Sequence, residues 1–274
     1  MKRLLAAAAA AAALVSASPA QAAPTVTPTP TAPPVAAKPV AAPDPVKALK
    51  SQFVAGRGVK VSESLRMEAK GKKLTSVQFS GVYEFGPSGV VSADVTQRVR
   101  TPQGKKVADV RFLIVGKNVY LQNDAVKADM PEGKTWVRFE NSGKPYPANH
   151  PLDVLQPADL ERLIKRAKPA KNGVYQGSIT AKQVRDLKIR MRVPFTYRLS
   201  LDSAGLPSAF RSTLQYNNKS TTQRILDSRY SAWGQKVTIK APAEEQVIDI
   251  KDLGPALQEE IQELPNEALA SLRP

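Results

Sequence analysis

Apolar and polar positions along the chain follow two periods. Val46, Leu49 and Phe53 recur at i, i+3 and i+7, one face of a helix, with Asp44 placed to cap it and Pro45 at its first position. Gly56 and Gly58 stop that helix. The period then becomes two. Val59, Val61, Leu65 and Met67 share one parity; Val77, Phe79, Tyr83 and Phe85 share another, opposite Ser76, Gln78, Ser80 and Glu84. A Gly-Pro-Ser-Gly turn (Gly86 to Gly89) leads into Val91, Val95 and Val99, which alternate with Ser92, Asp94, Thr96 and Arg98, so this pair reads as a hairpin. Turns at Pro102–Gly104 and Gly116–Asn118 precede strands over 107–115 and 119–121, and 136–139 is a further short strand. The pattern is an antiparallel meander with one apolar and one wet face.

The middle returns to helical spacing. Leu160, Leu163, Ile164 and Ala167 lie on one stripe; acidic residues sit at its start and Arg162, Lys165, Arg166 and Lys168 toward its end, as the helix dipole favours. Strands resume at 174–180, then a polar helical insert is expected over 181–192. Phe195, Tyr197, Leu199 and Leu201 alternate with polar residues, and an Asp202-Ser203-Ala204-Gly205 turn leads to Phe210, Leu214 and Tyr216. Strands over 224–233 and 237–239 are expected to complete the sheet, and Leu253, Leu257, Ile261 and Leu264 form a last helical stripe behind Pro255. Runs of strands interrupted by helices predict an α+β fold with a large antiparallel sheet, not a parallel α/β one.

The N-terminus does not belong to that fold. Lys2 and Arg3 precede an uncharged, alanine-rich run from Leu4 to Val15, and Ala20-Gln21-Ala22 is a small-x-small cleavage site, so residues 1–22 read as a signal peptide cleaved after Ala22. The run is short of the roughly 20 residues that cross a bilayer. Residues 23–44 are a Pro/Ala/Thr-rich linker, extended and semi-rigid, a spacer or a leftover tail. The folded domain is expected over 45–250, with 251–274 as a C-terminal helical extension.

Composition narrows the chemistry. The 274 residues include no cysteine and one histidine. Disulfide scaffolds, thiol catalysis, cysteine-ligated metals and a lipidated cysteine are therefore excluded. The expected location is secreted or in the cell envelope, with no lipid anchor. No G-x-S-x-G, phosphate-cradling glycine loop or H-E-x-x-H occurs. His150, between Asn149 and Pro151, has no sequence neighbour that fixes it against a serine and reads as structural. Asn218-Lys219-Ser220 matches a glycosylation pattern by letters only. The chain is expected not to be an enzyme and to need no cofactor or metal.

Charge is the other signal. Forty Lys and Arg against 24 Asp and Glu give +16, or +14 once Lys2 and Arg3 are removed. Basic residues are densest at Lys70–Lys73, Arg162–Lys171 and Lys182–Arg192. A secreted basic protein meets anionic lipid headgroups and wall polymers. Nucleic acid is not expected, since the basic stretches lack interleaved aromatics.

Several segments carry a resemblance: Val193-Pro194-Phe195-Thr196-Tyr197, Leu201-Asp202-Ser203-Ala204-Gly205-Leu206-Pro207, and Tyr230-Ser231-Ala232-Trp233-Gly234 followed by Val237-Thr238-Ile239 and Ala241-Pro242. With Lys134-Thr135-Trp136-Val137-Arg138, they resemble the actinobacterial LolA-like carriers of the LppX and LprG type. The resemblance spans about 44–249 and implies a curved antiparallel sheet, a half-open barrel wrapped around helices, enclosing a cavity for lipids or lipidated glycans. Such proteins are commonly lipoproteins, and this chain has no cysteine to acylate.

Two functions stay open. The first is a carrier of a lipid or other hydrophobic ligand, with Val77, Phe79, Tyr83, Phe85, Val91, Val95, Phe195, Tyr197 and Leu199 facing inward to line the cavity. The second is a sensor or interaction module that binds a protein or anionic wall polymer through its basic surface. A cavity above about 300 Å³ favours the first; a filled core with a basic groove favours the second.

Overall fold

The computed structural model describes residues 43–263 apart from 102, 142, 188, 190, 192 and 216–221. The signal peptide, nearly all of the linker, Asn218-Lys219-Ser220 and Leu264 lie outside the described residues.

The first helix, α1 (Pro45–Ser51), starts where Asp44 accepts from the backbone N–H groups of Val46 and Lys47. An antiparallel meander follows: β1 (Arg57–Ala69), β2 (Lys72–Gly86), β3 (Gly89–Arg100), β4 (Lys106–Val115) and β5 (Asn118–Asn123). A short helix, α2 (Asp124–Ala128), precedes β6 (Trp136–Glu140). The described residues of 141–156 contain neither helix nor strand and lead to α3 (Pro157–Arg166). Then come β7 (Lys168–Lys171), β8 (Val174–Ile179), α4 (Ala181–Asp186), β9 (Phe195–Leu201), β10 (Pro207–Gln215), β11 (Thr222–Lys236), β12 (Val247–Asp249) and α5 (Pro255–Glu263).

All twelve strands form one sheet in the order β12-β6-β5-β4-β3-β2-β1-β11-β10-β9-β8-β7. Every pairing is antiparallel except β12 with β6. The sheet is not closed, since β12 and β7 end it. Strands about 4.8 Å apart would make a flat sheet of this size about 53 Å wide, and sheets of more than about ten strands curl. Here one apolar cluster joins side chains from β1 through β6 and β8 through β11 to Leu49, Val126, Leu160, Leu163 and Ile261 of the helices. The sheet curves round its helices, and the fold is the α+β architecture that the sequence pattern predicts.

The segments that carry the resemblance meet in space. Asp202 accepts from the N–H groups of Ala204 and Leu206, and Gly205 takes φ +79, which an L side chain resists. Trp233 donates its indole N–H to the carbonyl of Pro207 at 3.0 Å and stacks on Phe85, pinning the end of β11 to the start of β10.

Three expectations need correction. Val237–Ile239 is not a strand. It leaves the ladder after a wide irregularity opposite Gly58–Lys60 and crosses the outer face, where Ile239 covers a small second cluster of Leu113, Tyr120, Trp136 and Val247. Alternation alone does not distinguish a paired strand from an extended cover. Val91 does not face inward. Phe85 pairs with Val90 and Glu84 with Ser92, so Val91 is the extra residue of a β-bulge and is 39% exposed. The helical insert over 181–192 shortens to α4, closed by a capping box between Thr180 and Gln183. Of the terminal stripe, Leu257 and Ile261 lie in α5 and Leu253 just before it, and Leu253 and Ile261 are buried in the main core.

Candidate functional site

Among the apolar side chains of the sheet's inner face lies a small polar cluster on β1, β10 and β11. Glu63 sits between Val61 and Leu65 on the inward parity of β1, directly opposite Ser228 of β11, which in turn lies opposite Phe210 of β10. Ser212 shares the inward parity of Phe210 and Leu214. Residues 141–156 lie over this cluster, and Tyr146, Leu152, Val154 and Leu155 are buried in the core. Buried irregular chain is unusual because its backbone polar groups need partners.

Side chains fasten this segment to the sheet. Asn149 donates to Glu63 Oε1 at 2.6 Å, and Ser228 donates to Glu63 Oε2 at 2.5 Å. His150 lies with Nδ1 2.8 Å from Ser212 Oγ and Nε2 2.8 Å from Ser228 Oγ, its ring 4.5 Å from that of Phe210. Ser228 has one hydroxyl proton and gives it to Glu63, so Nε2 must carry the proton that Ser228 accepts. Nδ1 then accepts from Ser212 when the ring is neutral and donates to it when the ring is charged. Tyr83 donates to the carbonyl of Pro147 at 3.4 Å. Within the segment, Asp153 accepts from the phenol of Tyr146 and from Lys144 Nζ, and Gln156 donates to the Tyr146 oxygen.

Burial opposes ionisation of Glu63. The hydrogen bond and charge of His150, with the donors of Ser228 and Asn149, outweigh it and hold the carboxyl below its ordinary range. Burial, then the negative charges of Glu63 and Asp153, pushes the phenols of Tyr83 and Tyr230 well above theirs.

Glu63, His150 and Ser212 stand in the order acid, base, hydroxyl, an arrangement that no spacing along the chain reveals. Ser212 is 0% exposed in the middle of β10, so no substrate carbonyl reaches it. The arrangement is a clasp that fastens the 141–156 segment to the sheet. Among the described residues, no group of three His, Asp or Glu side chains is placed to hold a metal.

A cavity of about 20 Å³ remains between segment and sheet, bordered by Val61, Glu63, Tyr83, Tyr146, His150 and Tyr230. That is room for about one water. Of the nine apolar candidates, only Tyr83 borders it. Val77, Phe79, Phe85, Val95, Phe195, Tyr197 and Leu199 are buried in the main core, and Val91 is outside it. Tyr197 also fastens the cover, donating to the carbonyl of Leu163 in α3 at 2.7 Å. It reaches there past Gly177, where a Cβ would lie 2.4 Å from the Tyr197 oxygen.

Sequence reasoning missed Glu63, Asn149, Ser212, Ser228 and Gln97. The available signal was a polar residue on an apolar parity. Gln97 falls between Val95 and Val99, is 1% exposed, and neither amide atom has a hydrogen-bond partner among the described residues.

No helix among the described residues is long and apolar enough to cross a membrane. No protein-family model matches the chain, and no curated protein matches it. Solved structures do. LprF from Mycobacterium bovis is 17% identical, covers 74% of this chain and 99% of its own, and superposes with a TM-score of 0.36. The lipoprotein LppX from Mycobacterium tuberculosis is 12% identical over 72% of this chain and 96% of its own, TM-score 0.33. A LolA superfamily protein from Nitrosomonas europaea is 10% identical over 73% and 94%, TM-score 0.28. LppX and the LolA superfamily are the groups that the Val193–Ile239 motifs resemble.

Proposed function

We propose that the chain is a non-catalytic protein of the secreted or cell-envelope space that takes a hydrophobic ligand, a lipid or lipidated glycan, against the inner face of the sheet. The observation that carries this reading is the 141–156 segment. It is irregular chain lying on an apolar sheet face, joined to the sheet through a polar clasp. An acyl chain can replace it against Val61, Tyr83 and Tyr230 once the clasp opens. The cover is built from short elements, each burying one or two apolar side chains: Leu49 in α1, Leu160 and Leu163 in α3, Val184 in α4. Elements with few buried contacts open at low cost. Gln97 supports the reading from the sheet side, since its unpartnered amide offers a donor and an acceptor to an ester or glycosidic oxygen.

With about 20 Å³ free here, far below the 300–1,000 Å³ of ordinary ligand sites, uptake must displace the segment. The net charge, +14 without Lys2 and Arg3, suits an envelope rich in anionic lipid and wall polymer. The test is native mass spectrometry of the secreted protein for co-purified lipid, together with uptake of a fluorescent fatty-acid probe. The wild type is expected to carry lipid or load slowly, and His150→Ala to load faster. Gln97→Leu is expected to unfold no more easily than wild type while retaining less ligand. Absence of lipid and of probe binding in all three proteins would remove the carrier reading.

A further inference from the structure

The outer face of the sheet collects arginines that the sequence scatters. Antiparallel pairing sets Lys168 of β7, Gln176 of β8, Arg198 of β9, Arg211 of β10 and Asp227 of β11 in one transverse row. Arg198 and Arg211 are directly opposite each other, and like charges so placed destabilise a sheet. The carboxylate of Asp227 is divided between Arg66, at 3.3 Å, and Arg211, at 3.6 Å. Arg198 has no ion pair among the described residues, nor has exposed Arg229, two residues along β11 from Asp227.

The two opposed arginines form the shared wall of two open grooves. One, of about 390 Å³, runs toward Lys168 and includes the hydroxyls of Ser178, Thr196 and Thr213. The other, of about 480 Å³, runs toward Arg66 and Arg229 and includes those of Ser62, Ser64 and Ser200. The exposed large apolar residues Val54, Leu74, Val91 and Val107 all lie elsewhere.

We propose that this face binds a linear phosphodiester-linked polymer of polyols or sugars, with successive phosphates held by Arg198 and Arg211 and the linking units lying in the two grooves. Charge complementarity selects an anion. The guanidinium fork matches phosphate oxygens two at a time. Grooves with hydroxyls along them offer donors to the remaining phosphate oxygens and partners to polyol hydroxyls. A lipid surface fits less well, because among the described residues the two grooves present no exposed large apolar side chain to insert. Nucleic acid fits less well, because no described residue along them is an exposed aromatic that offers a stacking platform for bases. Lys168 to Arg211 spans three strand spacings, about 14 Å, so a chain laid across the row meets several cations at once. This site lies on the opposite face from the proposed lipid space and does not depend on it.

The experiment is fluorescence anisotropy with a labelled synthetic glycerol-phosphate oligomer of about ten units. It is competed in turn with poly-glutamate of the same charge, a thymidine oligonucleotide, and phosphatidylglycerol vesicles. Arg198→Gln with Arg211→Gln is expected to weaken binding about 10- to 100-fold and to lower the dependence of log K on log salt by about two. Neutralising Lys70, Lys72 and Lys73 at the β1–β2 hairpin is expected to leave it within about twofold. Removing the opposed charges relieves repulsion, so thermal unfolding should not fall; should the double variant fold poorly, Arg198→Gln alone tests the same point. Equal weakening by both sets of substitutions, or equal or tighter binding of poly-glutamate, oligonucleotide or vesicles, would overturn the proposal.

Discussion

Replacing Glu63 separates the two things its carboxylate does, accepting hydrogen bonds and carrying charge. In Glu63→Ala, Asn149 and Ser228 each lose an acceptor that lies 2.6 and 2.5 Å away. A buried donor left without a partner costs about 1–3 kcal/mol, so two cost about 2–6 kcal/mol. The expected loss is therefore about 2–6 kcal/mol, or about 4–24 °C in Tm for a domain of this size. Glu63→Gln keeps every partner. Its oxygen still accepts from Asn149, and its amide donates to Ser228. The Ser228 hydroxyl then turns to Nε2 of a His150 ring protonated on Nδ1. That variant should lose less than about 1.5 kcal/mol at pH 7. Acid separates the two further. The folded carboxyl is held below its unfolded value of about 4.3, so the unfolded chain binds more protons below that pH. Its stabilisation is complete above about pH 4.3 and is lost as pH falls toward and through the folded value. Urea unfolding followed by the fluorescence of Trp136 and Trp233, from pH 7 to 3, measures both effects. An Ala variant within about 0.5 kcal/mol of wild type, or a Gln variant with the acid slope of wild type, would refute the clasp.

Phe79→Ala and Phe195→Ala should each cost about 3–5 kcal/mol in the ligand-free protein, because both rings are buried in the main core; urea midpoints that barely move would mean that space already adjoins them. Val91→Ser should stay within about 0.5 kcal/mol, since the bulge turns Val91 outward; a core-sized loss would contradict that register. Burial raises the phenols of Tyr83 and Tyr230, so their contribution is complete below the unfolded value of about 10 and is lost as pH rises above it. Ultraviolet titration should show both phenols ionising only as the protein unfolds, and free ionisation near pH 10 in the folded state would speak against their burial. Asp44→Ala removes the cap that holds Val46 and Lys47, and thermal unfolding should register a loss of about 1 kcal/mol.

Local features of this fold are written in the sequence because their causes are local. Asp44 and Pro45 start α1; the turn glycines 86, 89 and 205 close hairpins; alternation from Val77 to Phe85 and from Phe195 to Leu201 assigns an inner face. A register change of one residue was enough to defeat that reading at Val91, because a bulge depends on the partner strand and not on the residue itself. The short β12 and the fate of Val237–Ile239 were decided in the same way, by which edge and which apolar patch needed covering. Both candidate sites lie wholly in this second category. Glu63, His150, Ser212 and Ser228 come from β1, the 141–156 segment, β10 and β11, and only the order of strands in the sheet brings them within hydrogen-bond reach. The basic runs visible in the sequence, Lys70–Lys73 among them, are not where the opposed arginines lie. Arg198 and Arg211 are thirteen positions apart and acquire their meaning from cross-strand register. The sequence alone determined the period of each element and the sign of the charge, since both are set by neighbours along the chain. Which polar groups share a buried space, and which like charges face one another, is set by pairing between distant segments, and that is fixed only when the sheet assembles around its core.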